Sequence, residues 1–266
     1  MGVRLSVVMV GALSLTGLGS SATAQLVFRP AEAVAETSGD LAIPLAQLAV
    51  GHLDGDGVLD MAWSDGPFLQ DVLRTYLGNG DGSFAPTSQS PLGVRVRAMG
   101  DVNGDGLDDV LAQATSGPGW LDVLASNGDG TLSSLGEVVG VASALCLTGD
   151  LDGDGQLDVV SSGTSADPRM RALLGAGDGS FSTWWSAPKA FLSVAEAALG
   201  DLDGDGSLDL VHAFGPGSIQ VWYGLDGGAP PVQVTSLGSA AVMEDLALFD
   251  VDQDGDLDVL LAKPTA

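Results

Sequence analysis

Asp150-Leu151-Asp152-Gly153-Asp154-Gly155-Gln156-Leu157-Asp158 sets a nine-residue frame that the 266-residue chain uses five times. The frame opens again at His52, Asp101, Asp201 and Asp250, so the loops occupy 52–60, 101–109, 150–158, 201–209 and 250–258. Their starts lie 49, 49, 51 and 49 residues apart. A period that regular predicts a repeat architecture, in which each unit buries its apolar face against its neighbours.

Oxygen donors stand at positions one, three, five and nine of the frame. They are Asp101, Asn103, Asp105 and Asp109 in the second unit, and Asp150, Asp152, Asp154 and Asp158 in the third. The fourth supplies Asp201, Asp203, Asp205 and Asp209, and the fifth Asp250, Asp252, Asp254 and Asp258. Carboxylates gathered in one tight turn repel each other without a cation. Calcium accepts six to eight oxygens in a forgiving geometry and suits this donor set; magnesium asks for a stricter octahedron and keeps its waters. Position six is always glycine (Gly57, Gly106, Gly155, Gly206, Gly255), as a turn with positive φ requires. Position seven shows no side-chain preference, which marks a backbone carbonyl ligand: Leu107, Gln156, Ser207 and Asp256 join the ligand sets on that ground. The first unit opens with His52, a poor calcium ligand, so its set (Asp54, Asp56, Asp60) is expected to be weak or empty. Four calcium sites and a weak fifth are therefore expected.

An EF-hand shares the opening of this frame but needs a glutamate at position twelve and a flanking helix on each side. Position twelve here holds Trp63, Ala112, Ser161, His212 and Leu261, which excludes it. Calcium β-rolls repeat their motif back to back, whereas these loops are spaced by strand-like segments. Each unit has a stretch ending in small residues before the loop (Ala197-Ala198-Leu199-Gly200) and an apolar strand after it (Leu208-Asp209-Leu210-Val211). A third strand then enters a glycine turn, as in Gly78-Asn79-Gly80-Asp81-Gly82-Ser83, with counterparts at 127–131 and 176–180 and a looser copy at 224–228. Such turns join antiparallel strands. A fourth strand completes the unit. Four strands in about 49 residues make one blade of a β-propeller. The fold expected is all-β, a propeller of about five blades, with the N-terminal strand (Gln25-Leu26-Val27-Phe28-Arg29-Pro30) completing the last one. A third strand for that blade is not evident, which leaves a thin closing blade, an open ring or a part of a larger assembly.

Residues 1–24 read as a secretory signal: Arg4, an apolar run from Leu5 to Leu18, and an Ala22-Thr23-Ala24 cleavage site. That run is short for a membrane span. The mature chain, 25–266, is expected to be one exported domain with no integral membrane segment. Its one cysteine, Cys146, lies in an apolar run and reads as a small buried hydrophobe. Calcium is then expected to do the cross-linking that disulfides do in many exported domains. Thirty-five acidic residues face nine basic ones. That balance excludes nucleic acid and anionic lipid as direct partners.

With loops and glycine turns recurring in phase, residues 25–266 resemble the FG-GAP/VCBS repeat family, whose repeats also form the N-terminal propeller of integrin α subunits. The resemblance implies calcium bound between the first and second strands of each blade by Asp101, Asn103, Asp105, Asp109 and their counterparts. Family members commonly carry more blades than the five read here. The second unit departs from the frame at Asp108, where the other units carry leucine.

Outside the loops no catalytic constellation is evident. The sequence has no G-x-S-x-G, H-E-x-x-H or C-x-x-C, and its histidines are His52 and His212. Gly78-x-Gly80-x-Gly82 lacks a following helix to hold a phosphate. Trp184 and Trp185 are neighbours on a strand, so alternation puts one between blades and leaves the other free to stack on a sugar, unless both seal a blade boundary. The function expected is non-catalytic adhesion or recognition of a protein or carbohydrate ligand. A polysaccharide lyase or hydrolase, or a structural module of a larger assembly, is the alternative.

Overall fold

The computed structural model describes residues 48–65, 71–90, 93–115, 119–142, 145–163, 168–188, 194–214, 218–226, 232–236 and 245–262. The expected signal (1–24) and the expected closing strand (25–30) lie outside them. All regular structure among these residues is β, in eighteen strands. The first sheet contains β1 (Leu48–Gly51), β2 (Asp60–Asp65), β3 (Val72–Gly78) and β4 (Phe84–Ser90). The second contains β5 (Val94–Gly100), β6 (Asp109–Ala114), β7 (Trp120–Ser126) and β8 (Leu132–Ala142). The third contains β9 (Leu145–Gly149), β10 (Asp158–Ser162), β11 (Arg169–Gly175) and β12 (Phe181–Pro188). The fourth contains β13 (Val194–Gly200), β14 (Asp209–Phe214), β15 (Ser218–Tyr223) and β16 (Val232–Ser236). The fifth has two strands, β17 (Asp245–Phe249) and β18 (Asp258–Ala262).

Every pairing is antiparallel between sequence neighbours, and each nine-residue loop joins a first strand to a second. The residue before the loop pairs with the aspartate at position nine: Gly51 with Asp60, Gly100 with Asp109, Gly149 with Asp158, Gly200 with Asp209, Phe249 with Asp258. The first strands of successive sheets lie beside one another, in the order β1, β5, β9, β13, β17. The sheets thus stack face to face about their first strands in a propeller-like arrangement.

The core lies between sheets, not within them. Side chains on a strand point alternately to its two faces, and in the first four sheets both faces of the second strand are covered. Val110 therefore joins the cluster between sheets one and two, while Leu111 joins the one between two and three. Val159 and Val160 divide in the same way between the second and third clusters, and Leu210 and Val211 between the third and fourth. This explains why the second strands read as unbroken apolar runs where a one-faced sheet would alternate. Position two of the first four loops drops into the boundary that follows it: Leu53, Val102, Leu151 and Leu202 join the four clusters in turn. Cys146 is buried in the second cluster, as expected, and His212 is buried against Trp222 with ring centroids 6.1 Å apart.

Strict alternation fails at the two adjacent tryptophans. Ala172 pairs with Trp185 but Leu173 pairs with Thr183, so Trp184 is the extra residue of a bulge. The bulge turns both rings toward the third cluster, where Trp185 meets Trp222 edge-on at 5.6 Å. A bulge re-aims side chains and adds twist. Neither ring stands out from the surface as a sugar platform; both seal the boundary between sheets three and four.

The third strand ends against the loop with no room for a side chain. A Cβ on Gly175 would meet the backbone carbonyl of Leu157, and one on Gly78 the carbonyl of Leu59. Gly175→Ala is expected to lower unfolding free energy in urea by about 1–3 kcal/mol, the usual range for overpacking. No loss on substitution would mean that the strand end does not sit against the loop.

Candidate metal centre

The loop closes through its own carboxylates. At position one, Asp101 accepts the N–H groups of Gly104 and Gly106 at 2.7 and 2.9 Å, and Asp201 accepts those of Gly204 and Gly206 at 2.8 and 3.0 Å. Asp150 does the same for Gly153 and Gly155. Positions three and five each accept the N–H two residues on, as Asn103 does from Asp105 and Asp105 from Leu107. The curl demands positive φ at position six, as expected, and also at position four: Gly55, Gly104, Gly153 and Gly204 lie between 72° and 78°. In the fifth loop Gln253 takes that place at 63°, the one non-glycine with positive φ among the described residues.

Position nine acts differently. Asp158 is buried, and its two oxygens accept Leu151 N–H in its own loop and Gly175 N–H at the end of β11, both at 2.7 Å. Asp60 binds Leu53 and Gly78, Asp109 binds Val102 and Ser126, and Asp209 binds Leu202 and Gly224. This carboxylate pins the loop to the third strand. Nothing in the spacing announced that role. In the fifth sheet, where no third strand is described, Asp258 keeps only the bond from Val251 N–H among the described residues and is exposed.

In the last three loops the acids crowd together. Oxygens of Asp150, Asp152 and Asp158 come within 4.8 Å of one another, as do those of Asp201, Asp203 and Asp209 and those of Asp250, Asp252 and Asp254. In the fifth loop the charge of Asp254 is the main cause that raises the Asp252 carboxyl above its ordinary range. Burial raises Asp158 and Asp209, opposed by the backbone N–H groups they accept. Burial also raises Asp109 to about 6, opposed by Ser126 and Val102 N–H and reinforced by Asp105 and Asp101. A hard divalent cation fits such a set: it neutralises crowded carboxylates and accepts oxygen donors alone. The glycine-turn acids are set up otherwise. The Ser83 hydroxyl holds the exposed Asp81 carboxyl below its usual range, and Thr131 and Ser180 do the same for Asp129 and Asp178.

The first loop does not fit a cation. His52 brings no carboxylate, and its Nδ1–H donates to the carbonyl of Val58, the position-seven oxygen, at 3.0 Å. Asp54, Asp56 and Asp60 otherwise repeat the local bonds of positions three, five and nine.

Two outcomes follow from this geometry. Asp158→Asn turns an amide NH₂ toward one of the two backbone donors, and is expected to cost about 1–3 kcal/mol in urea melts, the penalty of an unsatisfied buried group. The second concerns acid. Because the folded-state value of Asp109 lies above its ordinary 3.8, ionising it opposes folding in full above pH about 6, and the cost disappears below about 4. In chelator the melting temperature is expected to rise as pH falls from 7 to 5. In saturating calcium it should fall or hold over the same window, since protons then compete with the metal. A melting temperature that drops on acidification in chelator would contradict the burial-raised carboxyl.

No described helix is long and apolar enough to cross a membrane. No curated protein matches the sequence. Among solved structures, the rhamnogalacturonan lyase YesW is 17% identical with a TM-score of 0.52, over 82% of this chain and 46% of that one. Sqt1 of Saccharomyces cerevisiae is 13% identical with a TM-score of 0.50, over 76% of this chain and 52% of that one. The chain thus spans about half the length of these structures, and the likeness is one of fold alone. The model of the FG-GAP-like repeat matches residues 52–112, 101–161, 150–212 and 201–261, each match running from one loop into the next. Frame, sheets and matches share one period, and the chain belongs to the FG-GAP-like repeat family.

Proposed function

We propose that this is an exported, non-catalytic repeat protein, stapled by calcium, that presents its surface for adhesion or for recognition of a protein or carbohydrate ligand. The observation that carries the metal assignment is the meeting of three carboxylates within 4.8 Å in each of the last three loops. Asp150, Asp152, Asp154 and Asp158, with the Gln156 carbonyl, hold the ion in the third loop. The second loop holds it with Asp101, Asn103, Asp105, Asp109 and the Leu107 carbonyl, and the fourth with Asp201, Asp203, Asp205, Asp209 and the Ser207 carbonyl. In the fifth loop the ligands are Asp250, Asp252, Asp254, Asp258 and the Asp256 carbonyl. Bound there, calcium supplies charge neutralisation and a fixed loop. Residues 1–24 act as the leader, and the N-terminal strand of the mature chain closes the fifth sheet. Exposed Val251, Val259 and Leu260 on that sheet support such a cover, because their counterparts in the other sheets are buried against a neighbour.

The non-catalytic assignment rests on what the acids already do. The frame carboxylates that could act as acid or base serve the loop backbone, crowd at the candidate metal sites, or do both. A polysaccharide lyase or hydrolase is the alternative, and it would need a base outside the loops. Saturable turnover of an acidic polysaccharide, abolished by one substitution outside the loops, would replace the first reading by the second.

Calcium modules of extracellular proteins bind at about 10⁻⁴–10⁻³ M, so at about 1 mM calcium a site at the tight end contributes about 1.4 kcal/mol. Four such sites contribute about 5–6 kcal/mol, which corresponds to about 10–20 °C in melting temperature for a domain of this size. Differential scanning calorimetry with calcium and with chelator is expected to show a drop of that order. An unchanged melt would remove calcium from the account.

A further inference from the structure

His52 at position one of the first loop and Asp108 at position eight of the second each depart from the repeat, and they meet in space. Asp108 Oδ2 accepts the backbone N–H of His52 at 2.7 Å, and the backbone N–H of Asp108 donates to the carbonyl of His52 at 2.7 Å. This two-bond bracket spans the boundary between sheets one and two. The leucines that replace Asp108 in later units, Leu157, Leu208 and Leu257, make no such pair among the described residues; they lie over Gly100, Gly149 and Gly200 of the preceding sheet. Gly51 takes the Asp108 carboxylate in the same way.

Inside the first loop, the His52 imidazole reaches the carbonyl of Val58, the oxygen that in the other loops is left for the metal. One ring N–H thus satisfies the carbonyl, and no carboxylate stands at position one to crowd the centre. The same boundary is stitched by direct polar bonds besides the bracket. Arg95 pairs with Asp71 at 2.6 Å, Ser126 Oγ–H donates to Leu53 O at 2.6 Å, Thr75 Oγ1–H to Gly130 O, and Val96 N–H to Ser64 Oγ at 3.1 Å.

We propose that the first loop takes no calcium: the His52 ring stands where the other loops hold their ion, and Asp108 fixes that residue from the neighbouring sheet. The first boundary is a metal-free lock in a chain whose other boundaries are stapled by metal. This rests on the calcium assignment of the other loops, and the experiment separates the two.

Hydrogen exchange of the mature protein is followed by mass spectrometry in about 1 mM calcium and in chelator, for the native chain and for Asp108→Leu, Asp108→Asn and His52→Asp. On chelation, amides in 150–156 and 201–207 are expected to exchange about tenfold faster, the factor linkage gives for a site near 10⁻⁴ M. Amides in 53–58 should not change. Asp108→Leu, which installs the residue of the other units, should speed exchange at 52–58 in both conditions, and Asp108→Asn, which keeps an acceptor oxygen, should restore it. His52→Asp should make 53–58 respond to chelator. A native first loop that speeds up with the others on chelation would overturn the proposal, as would Asp108→Leu without effect at 52–58. If no loop responds to chelator, the calcium assignment falls, and the Asp108 variants still decide whether the bracket holds the first loop.

Discussion

The buried aspartate at position nine is the constraint on which the repeat depends. A carboxylate taken out of water is costly unless its oxygens are hydrogen-bonded, and bonds to an ionised acceptor are the strong kind. Here one oxygen takes an N–H from the loop and the other an N–H from the end of the third strand. Three parts of a unit are thereby fixed at one point: the turn, the second strand that the aspartate begins, and the third strand beside it. The fifth sheet shows the converse. With no third strand described beside it, Asp258 is exposed and keeps one bond among the described residues.

From this pin the rest follows in order. A loop held at its ninth residue drops its second, Leu53, Val102, Leu151 or Leu202, into the boundary with the next sheet. The next sheet answers with backbone contacts to the same loop, as Gly179 N–H does to Val102 O at 2.9 Å. Loops that carry crowded carboxylates therefore lie at sheet boundaries, and a cation bound there stiffens the contact between units as well as the turn itself. In a repeat array, where stability is built from nearest-neighbour interfaces, that is where a ligand has most leverage.

Much of this was legible in the sequence because it lies in local spacing. The period, the strand-loop-strand order and the glycines of position six follow from the chain without coordinates. What escaped depends on contacts between distant residues or on breaks in local regularity. The second role of Asp158 needs Gly175, seventeen residues away, and that contact leaves no mark in the nine-residue frame. For Trp184 and Trp185 the sequence offered a blade-boundary seal beside an exposed sugar platform; the boundary seal is what forms, through a bulged residue that alternation does not foresee. Glycine at position four was present in the frame, yet the conformational demand on it emerges only once the position-one carboxylate is seen to gather N–H groups from both sides of it. His52 and Asp108 each looked like an isolated departure; their meeting across a boundary shows them to be one feature.

Whether the acid loops are metal sites, and how many of them are, decides what holds the units together. Native mass spectrometry of the mature chain at millimolar calcium counts bound ions directly. Four calcium ions, lost together in chelator, are the result this structure predicts. Zero ions would reduce the loops to solvated turns held by their own backbone bonds, and five would place a cation where the His52 ring lies.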